Sequence, residues 1–65
     1  MIITRKKWLE EKINMMQSAI WWNELILKVQ EANGDGADKL DATKTIITKD
    51  QGTLTLLKNE LKNYK

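Results

Sequence analysis

Apolar residues recur at helical spacing through the first half of the chain, which has no glycine or proline before residue 34. Placed at about 100° intervals, they fall into two neighbouring strips. The first strip contains Trp8, Met15, Ala19, Trp22, Ile26 and Val29. The second strip contains Leu9, Ile13, Met16, Ile20 and Leu27. Because Thr4 is placed to cap its start, this pattern predicts a long helix over about residues 4–32.

The two strips offer more apolar surface than one neighbouring helix can cover. Together they span about half of the helix circumference, whereas a helix that faces one neighbour needs a stripe little wider than about 100°. Trp21 departs from the pattern, since it falls among polar residues between Gln17 and Glu24. Tryptophan is enriched at the hot spots of protein interfaces. The candidate partner-binding residues are therefore Trp8, Met15, Trp21, Trp22 and Ile26.

The second half of the chain follows a turn signal, Asn33-Gly34-Asp35-Gly36. Beyond the turn, Leu40, Ile47, Leu54 and Leu61 recur at seven-residue spacing, and Leu57 and Tyr64 complete the stripe. This pattern predicts an all-α fold, an antiparallel helical hairpin with its turn at 33–36 and a second helical half over about 37–64. Asp50 interrupts the stripe and Gly52 weakens it, so a break near residues 48–53 stays open.

A β-hairpin is the alternative for the same half. Two threonine-rich runs, 45–48 and 53–56, flank the turn-like sequence Lys49-Asp50-Gln51-Gly52, and threonine favours strands. A hairpin at about 44–56 would make the fold α+β. A third possibility is a helix that restarts at Thr48, since Thr48-Lys49-Asp50-Gln51 has the form of a capping box. A helix, broken or continuous, is favoured over the strands.

The length of the chain bears on how it can be stable. We expect residues 1–65 to form a single small domain, and a chain of about this size buries only about 60% of its unfolded surface. Cysteine and histidine are absent, so disulfides and the common zinc sites are excluded. Self-association is the remaining support, for instance two hairpins that form a four-helix bundle. The predicted partner is a second copy or another protein.

Candidate chemistry is sparse. Glu31 to Gly36 imitates the start of a calcium loop, but the twelfth position, which should supply a bidentate glutamate, is Ala42. The neighbouring carboxylates Glu10 and Glu11 point to different faces of a helix. Without histidine or cysteine, no nucleophile has a base beside it in the usual way. We therefore expect no enzyme activity, no cofactor, no metal site and no small-molecule substrate.

The charge pattern provides a second candidate surface. A net charge of +2 gives no strong case for nucleic acid. An antiparallel hairpin would nevertheless gather basic residues at one end and acidic residues at the turn. The candidate anion-binding residues are Arg5, Lys6, Lys7, Lys58 and Lys62. Cations in the first turn of a helix oppose its dipole, which hints that the basic end meets something anionic.

Three functions follow from these patterns. The leading one is a non-enzymatic structural or adaptor protein that works through helix-mediated contacts, such as a small assembly component of a phage or low-GC bacterium. The alternatives are a nucleic-acid-binding regulator that uses the basic end, and a protein attached peripherally to membranes.

The nearly uncharged run at 13–27 is shorter than the ~20 residues of a spanning helix. We expect a cytoplasmic protein, or a virion-associated one if it is phage-encoded. In size and plan the hairpin resembles a plasmid RNA-binding hairpin dimer and small phage head–tail joining proteins, and the likeness carries over no site.

Overall fold

Two long helices account for almost all of the part of the chain that the computed structural model describes, residues 4–64. Helix α1 spans Arg5–Ala32 and helix α2 spans Ala37–Asn63. They run antiparallel, because Arg5 lies beside Glu60 at one end and Gln30 contacts Thr43 at the other. The predicted helical hairpin, with its turn at 33–36, is confirmed.

Local capping explains where α1 begins and ends. The Thr4 hydroxyl accepts a hydrogen bond from the Lys7 backbone N–H at 3.1 Å, which satisfies a free donor of the first turn. At the other end Gly34 adopts a φ of 70°, which favours glycine. The N–H groups of Gly34 and Asp35 return to the carbonyls of Glu31 and Gln30. This pair of bonds is the Schellman motif, and it turns the chain back on itself.

Helix α2 is continuous through residues 48–53, so the break that the sequence left open there does not occur. Gly52 lies in mid-helix, and a Cβ added to it would meet nothing within 4 Å. The helix ends at Asn63, one residue before the predicted boundary, and Tyr64 is its extended C-cap. Lys62 lies in the last turn, where a positive charge complements the helix dipole.

The β-hairpin alternative at about 44–56 is also wrong, because these residues are helical. Three threonines in this stretch donate a side-chain hydrogen bond to the carbonyl four residues earlier. Thr45 bonds to Asp41 O at 2.9 Å, Thr53 to Lys49 O at 3.2 Å and Thr55 to Gln51 O at 3.0 Å. Such bonds let threonine satisfy its hydroxyl inside a helix. Tertiary contact with α1 then outweighs the strand preference of threonine.

The contact between the helices is a seam of residues alternately three and four apart. Its members on α1 are Leu9, Ile13, Met16, Ile20, Asn23, Leu27 and Gln30, all buried or half-buried. Its members on α2 are Leu40, Thr43, Ile47, Asp50, Leu54, Leu57 and Leu61, again buried or half-buried. Leu9, Ile20 and Leu54 form the fully buried core. The second predicted strip of α1 is thus the one that packs against α2.

Three polar side chains of the seam, Asn23, Gln30 and Thr43, form hydrogen bonds. The buried Thr43 hydroxyl lies 2.8 Å from Gln30 Oε1 and 3.2 Å from the Lys39 carbonyl. Because a hydroxyl has one proton, it donates to one of these acceptors at a time. Asn23 donates to the Ala19 carbonyl of its own helix at 2.9 Å. Asp50 is half-buried in the seam, as its place in the predicted stripe implies.

The hairpin is a single layer of helices. Its principal extents are 47 × 22 × 12 Å, and the shortest of these matches the ~10–12 Å diameter of one helix. The radius of gyration is 15.0 Å, against about 11 Å for a compact domain of this length. The accessible surface of 5297 Å² likewise exceeds the ~4,300 Å² of a compact monomer. Each helix therefore has one neighbour and leaves most of its circumference in solvent.

Replacing Gly52 with alanine tests the continuity of α2. We expect Gly52→Ala to raise the free energy of unfolding by about 1 kcal/mol, because alanine is the better helix former and its Cβ meets open space. Urea denaturation followed by circular dichroism measures the change. The matched control is Gly34→Ala, which places a Cβ at a φ of 70° and should destabilise the protein by about 1 kcal/mol. A destabilising Gly52→Ala would contradict an unbroken helix.

Two leucine truncations test the position of the core. Leu9 is only 2% exposed, so we expect Leu9→Ala to lower the free energy of unfolding by about 2–5 kcal/mol. Leu56 of α2 is 67% exposed, so we expect Leu56→Ala to lower the free energy of unfolding by no more than about 0.5 kcal/mol. Both variants are compared with the parent chain at one protein concentration by chemical denaturation. Equal losses for the two leucines would mean that the seam does not carry the stability.

Candidate protein-binding face of the first helix

The first predicted strip of α1 lies uncovered in the structure. Trp8 is 45%, Met15 59%, Trp22 61% and Val29 53% exposed. These four residues are seven apart in sequence, so they form a line along the helix that we call the outer row. Ile26, the other predicted residue of this strip, is half-buried beside the row. Of the two predicted strips, the first is therefore the one that α2 leaves uncovered and available for contact.

A depression interrupts the outer row at the middle of α1. It is lined by Asn14, Met15, Ser18, Ala19 and Trp22 and has a volume of about 560 Å³. It is shallow and broad, and along the helix the small residues Ser18 and Ala19 lie between the larger Met15 and Trp22. Residues 15, 18, 19 and 22 have the spacing of the four residues that receive one side chain of a neighbouring helix in knobs-into-holes packing. The depression has the form of such a hole, open to solvent.

Lys12 covers part of the row. Its ammonium lies 5.6 Å from the centroid of the Trp8 ring, within the range of a cation–π contact. The same Nζ is 4.0 Å from Met15 Sδ. The aliphatic stem thus lies along apolar surface while the charge stays at the edge in water. Lys12 and the exposed Glu11, which lies three residues after Trp8 and four before Met15, are charged groups that a partner of the row would meet.

Trp21, which the sequence places outside both strips, is 64% exposed. It is not isolated, because Leu25 lies one turn further along and is itself 52% exposed. Leu25 in turn neighbours Trp22 and Val29 at helical spacing. Leu25 belongs to neither of the two strips predicted from the sequence. Leu25 is four residues from both Trp21 and Val29, and this helical spacing would have predicted that it lies beside them on the surface of α1.

Helix α2 contributes Ile46, which is 47% exposed and was also missed. The ion pair between Arg5 Nη2 and Glu60 Oε2, 4.0 Å apart, shows which flank of α2 lies nearest the outer row. Arg5 precedes Trp8 by three residues and lies on the same side of the seam. Ile46, Thr53 and Glu60 are seven apart, so they share that flank of α2. Ile46 and the outer row therefore belong to one side of the hairpin.

The predicted anion-binding residues come together at the end of the hairpin opposite the turn. Arg5, Lys6 and Lys7 occupy the first turn of α1, and Lys58 and Lys62 lie near the end of α2. All five are exposed to solvent. The acidic residues Glu31, Asp35, Asp38 and Asp41 lie at the turn end. The hairpin is therefore electrically polar along its length.

Other kinds of site find little support in residues 4–64. Within that range, no group of three or more acidic, histidine or cysteine side chains is arranged to hold a metal ion. Nor does either helix, as far as the chain is described, have the length and apolarity needed to cross a bilayer. The exposed apolar face of α1 and the basic end are the surfaces that remain.

Comparison of the chain with protein-family models, with curated proteins and with solved structures found no match. The fold and the exposed side chains define the class at a coarse level, a small helical hairpin with an uncovered aromatic face. What such a face does must be argued from its own residues.

Proposed function

We propose that the protein is a non-enzymatic structural or adaptor protein that acts through helix-mediated protein–protein contacts. The observation that carries the proposal is the exposure of Trp22 and Met15 side by side around an open hole on α1. Tryptophan is the residue most characteristic of interface hot spots, which form where a large side chain fills a desolvated pocket. A row of large apolar side chains next to such a pocket is suited to a partner helix.

The size of the exposed area supports this proposal. At about 200 Å² for a large side chain, the exposed fractions of the outer row amount to roughly 400–500 Å². Monomeric soluble proteins rarely expose a contiguous apolar patch larger than a few hundred Å² without a functional reason. Covering this row would contribute on the order of 10 kcal/mol before the costs of association are subtracted. This gain is of the same order as the ~4–15 kcal/mol that association costs, so the row would supply a large share of the free energy that binding a partner needs.

A photocrosslinking side chain at position 15 tests the proposal in the cell that makes the protein. We expect Met15→benzoylphenylalanine to give a discrete covalent adduct with a protein, because the probe replaces a residue at the centre of the outer row. The matched control places the same probe at Thr48, an exposed position on the polar side of α2, and should give none. Adduct mass is read by mass spectrometry. The same probe placed at position 22 gives a second reading from the row. If the probe gives no adduct at position 15 and none at position 22, the proposal is refuted.

A second candidate is nucleic-acid binding through the basic end. It is favoured by the closeness of the five basic residues, which the antiparallel arrangement of α1 and α2 brings to one end. Phosphate contacts of this kind depend on counterion release and weaken steeply as salt rises. The outer row has no part in this candidate.

Charge reversal at the start of α1 tests the second candidate. Lys6→Glu with Lys7→Glu should abolish binding to a mixed-sequence RNA or DNA at low ionic strength, measured by fluorescence anisotropy. Lys44→Glu with Lys49→Glu makes the same change in net charge in the middle of α2 and should retain most of the affinity. A parent chain that binds neither nucleic acid at low salt would remove this candidate.

A further inference from the structure

We propose that the occupant of the outer row is the same row of a second copy of this chain. In this arrangement the two α1 helices run antiparallel, and a two-fold axis passes beside Ser18 and Ala19. Two hairpins then form a four-helix bundle. The inference rests on the proposed function, of which it names the partner.

The outer row is complementary to itself in the antiparallel direction. In a two-fold interface, if residue i of one copy meets residue j of the other, then j also meets i. Trp8 and Val29 lie equally far on either side of the Ser18–Ala19 peptide, and so do Met15 and Trp22. Turning one helix around this peptide therefore sets each tryptophan against a smaller apolar residue. All four residues are about half exposed or more and find a counterpart.

The depression at the centre of α1 fits this symmetry. Two small residues, Ala19 of the first strip and the adjacent Ser18, would lie at the two-fold axis, where the helices approach most closely. Met15 and Trp22 would then fit on either side of these small residues, each against the other residue of the second copy. Small residues at a crossing and large ones beside it are the pattern that permits interdigitation of two helices.

Charges favour the antiparallel orientation over the parallel one. Antiparallel copies bring Arg5, Lys6 and Lys7 of one chain towards the acidic turn end of the other, which includes Glu31 and Asp35. A parallel pair would set like charges together at both ends. It would also set Lys12 against Lys12, whereas the antiparallel pair separates these two lysines by roughly 20 Å along the helices. Repulsion thus acts against the parallel arrangement.

The shape and area of the hairpin are consistent with a second copy. Domains are usually built from two packed layers, and this hairpin is a single layer 12 Å thick. The outer row together with Leu25 and Ile46 exposes on the order of 600 Å² per copy, at about 200 Å² per side chain. Each partner of a standard interface buries roughly 600–1,000 Å². The available apolar surface therefore reaches the lower limit of a stable dimer.

Sedimentation equilibrium of the full chain tests the association. We expect a mass twice the 7.6 kDa of one chain. Trp22→Glu should raise the dissociation constant at least a hundredfold, because it places a charge in the centre of the contact. Thr48→Glu introduces the same charge at an exposed position on the polar side of α2, away from the row, and should leave the dimer intact. A monomer at every concentration, or a dimer that tolerates Trp22→Glu, would overturn the inference.

Disulfide trapping tests the orientation without any loss of apolar contact, since the chain has no cysteine of its own. Ser18→Cys lies at the proposed axis and should crosslink two copies readily on mild oxidation. Glu11→Cys should not crosslink, because antiparallel copies hold the two positions roughly 20 Å apart, beyond the ~7 Å that a disulfide allows between Cα atoms. Efficient crosslinking through Glu11→Cys and not through Ser18→Cys would overturn the antiparallel arrangement.

These experiments also separate the inference from the proposed function. A monomeric chain whose position-15 probe captures a different protein would refute self-association and retain the adaptor role. A monomeric chain whose probe captures nothing would refute both.

Discussion

The structure depends on one seam between two helices, and that seam uses only one side of each helix. Leu9 and Ile20 of α1 and Leu54 of α2 are the buried apolar side chains of the described residues. A short, linear core of this kind fixes the hairpin but does not cover it. Every other feature of the molecule, from its elongated shape to its exposed tryptophans, follows from the absence of a second layer in a single chain.

Much of the fold could be predicted because local and long-range signals agree in the first half of the chain. Thr4 provides a cap, apolar residues keep helical spacing, and Gly34 supplies the positive φ of the turn. The width of the apolar surface also predicted that part of it would remain uncovered. The sequence could not say which of the two strips would face α2. That choice depends on how the turn orients α2 around α1, which no local pattern encodes.

The second half was ambiguous for a physical reason. Threonine and glycine lower helix propensity, and the segment from Thr45 to Leu56 has features of both helix and hairpin. The seven-residue recurrence of leucine and isoleucine carried the correct information, because it matches the seam of α1. For the candidate site, exposure of the tryptophans agreed with the sequence pattern, whereas Leu25 and Ile46 required knowledge of how the helices pack.

The threonines of α2 have a consequence for how the chain reaches this structure. Five of the residues of α2 are threonine and one is glycine, so the isolated segment has weak helix-forming tendency. Helix α1 is rich in strong helix formers and can begin to form early by itself. Folding would then proceed with α1 as a template on which α2 condenses, and unfolding would begin by loss of α2. Loss of α2 would then expose the strand-like segment from Thr45 to Leu56 next to the exposed tryptophans of α1. Partially unfolded chains of this kind are prone to aggregate, so the low helix propensity of α2 would favour aggregation.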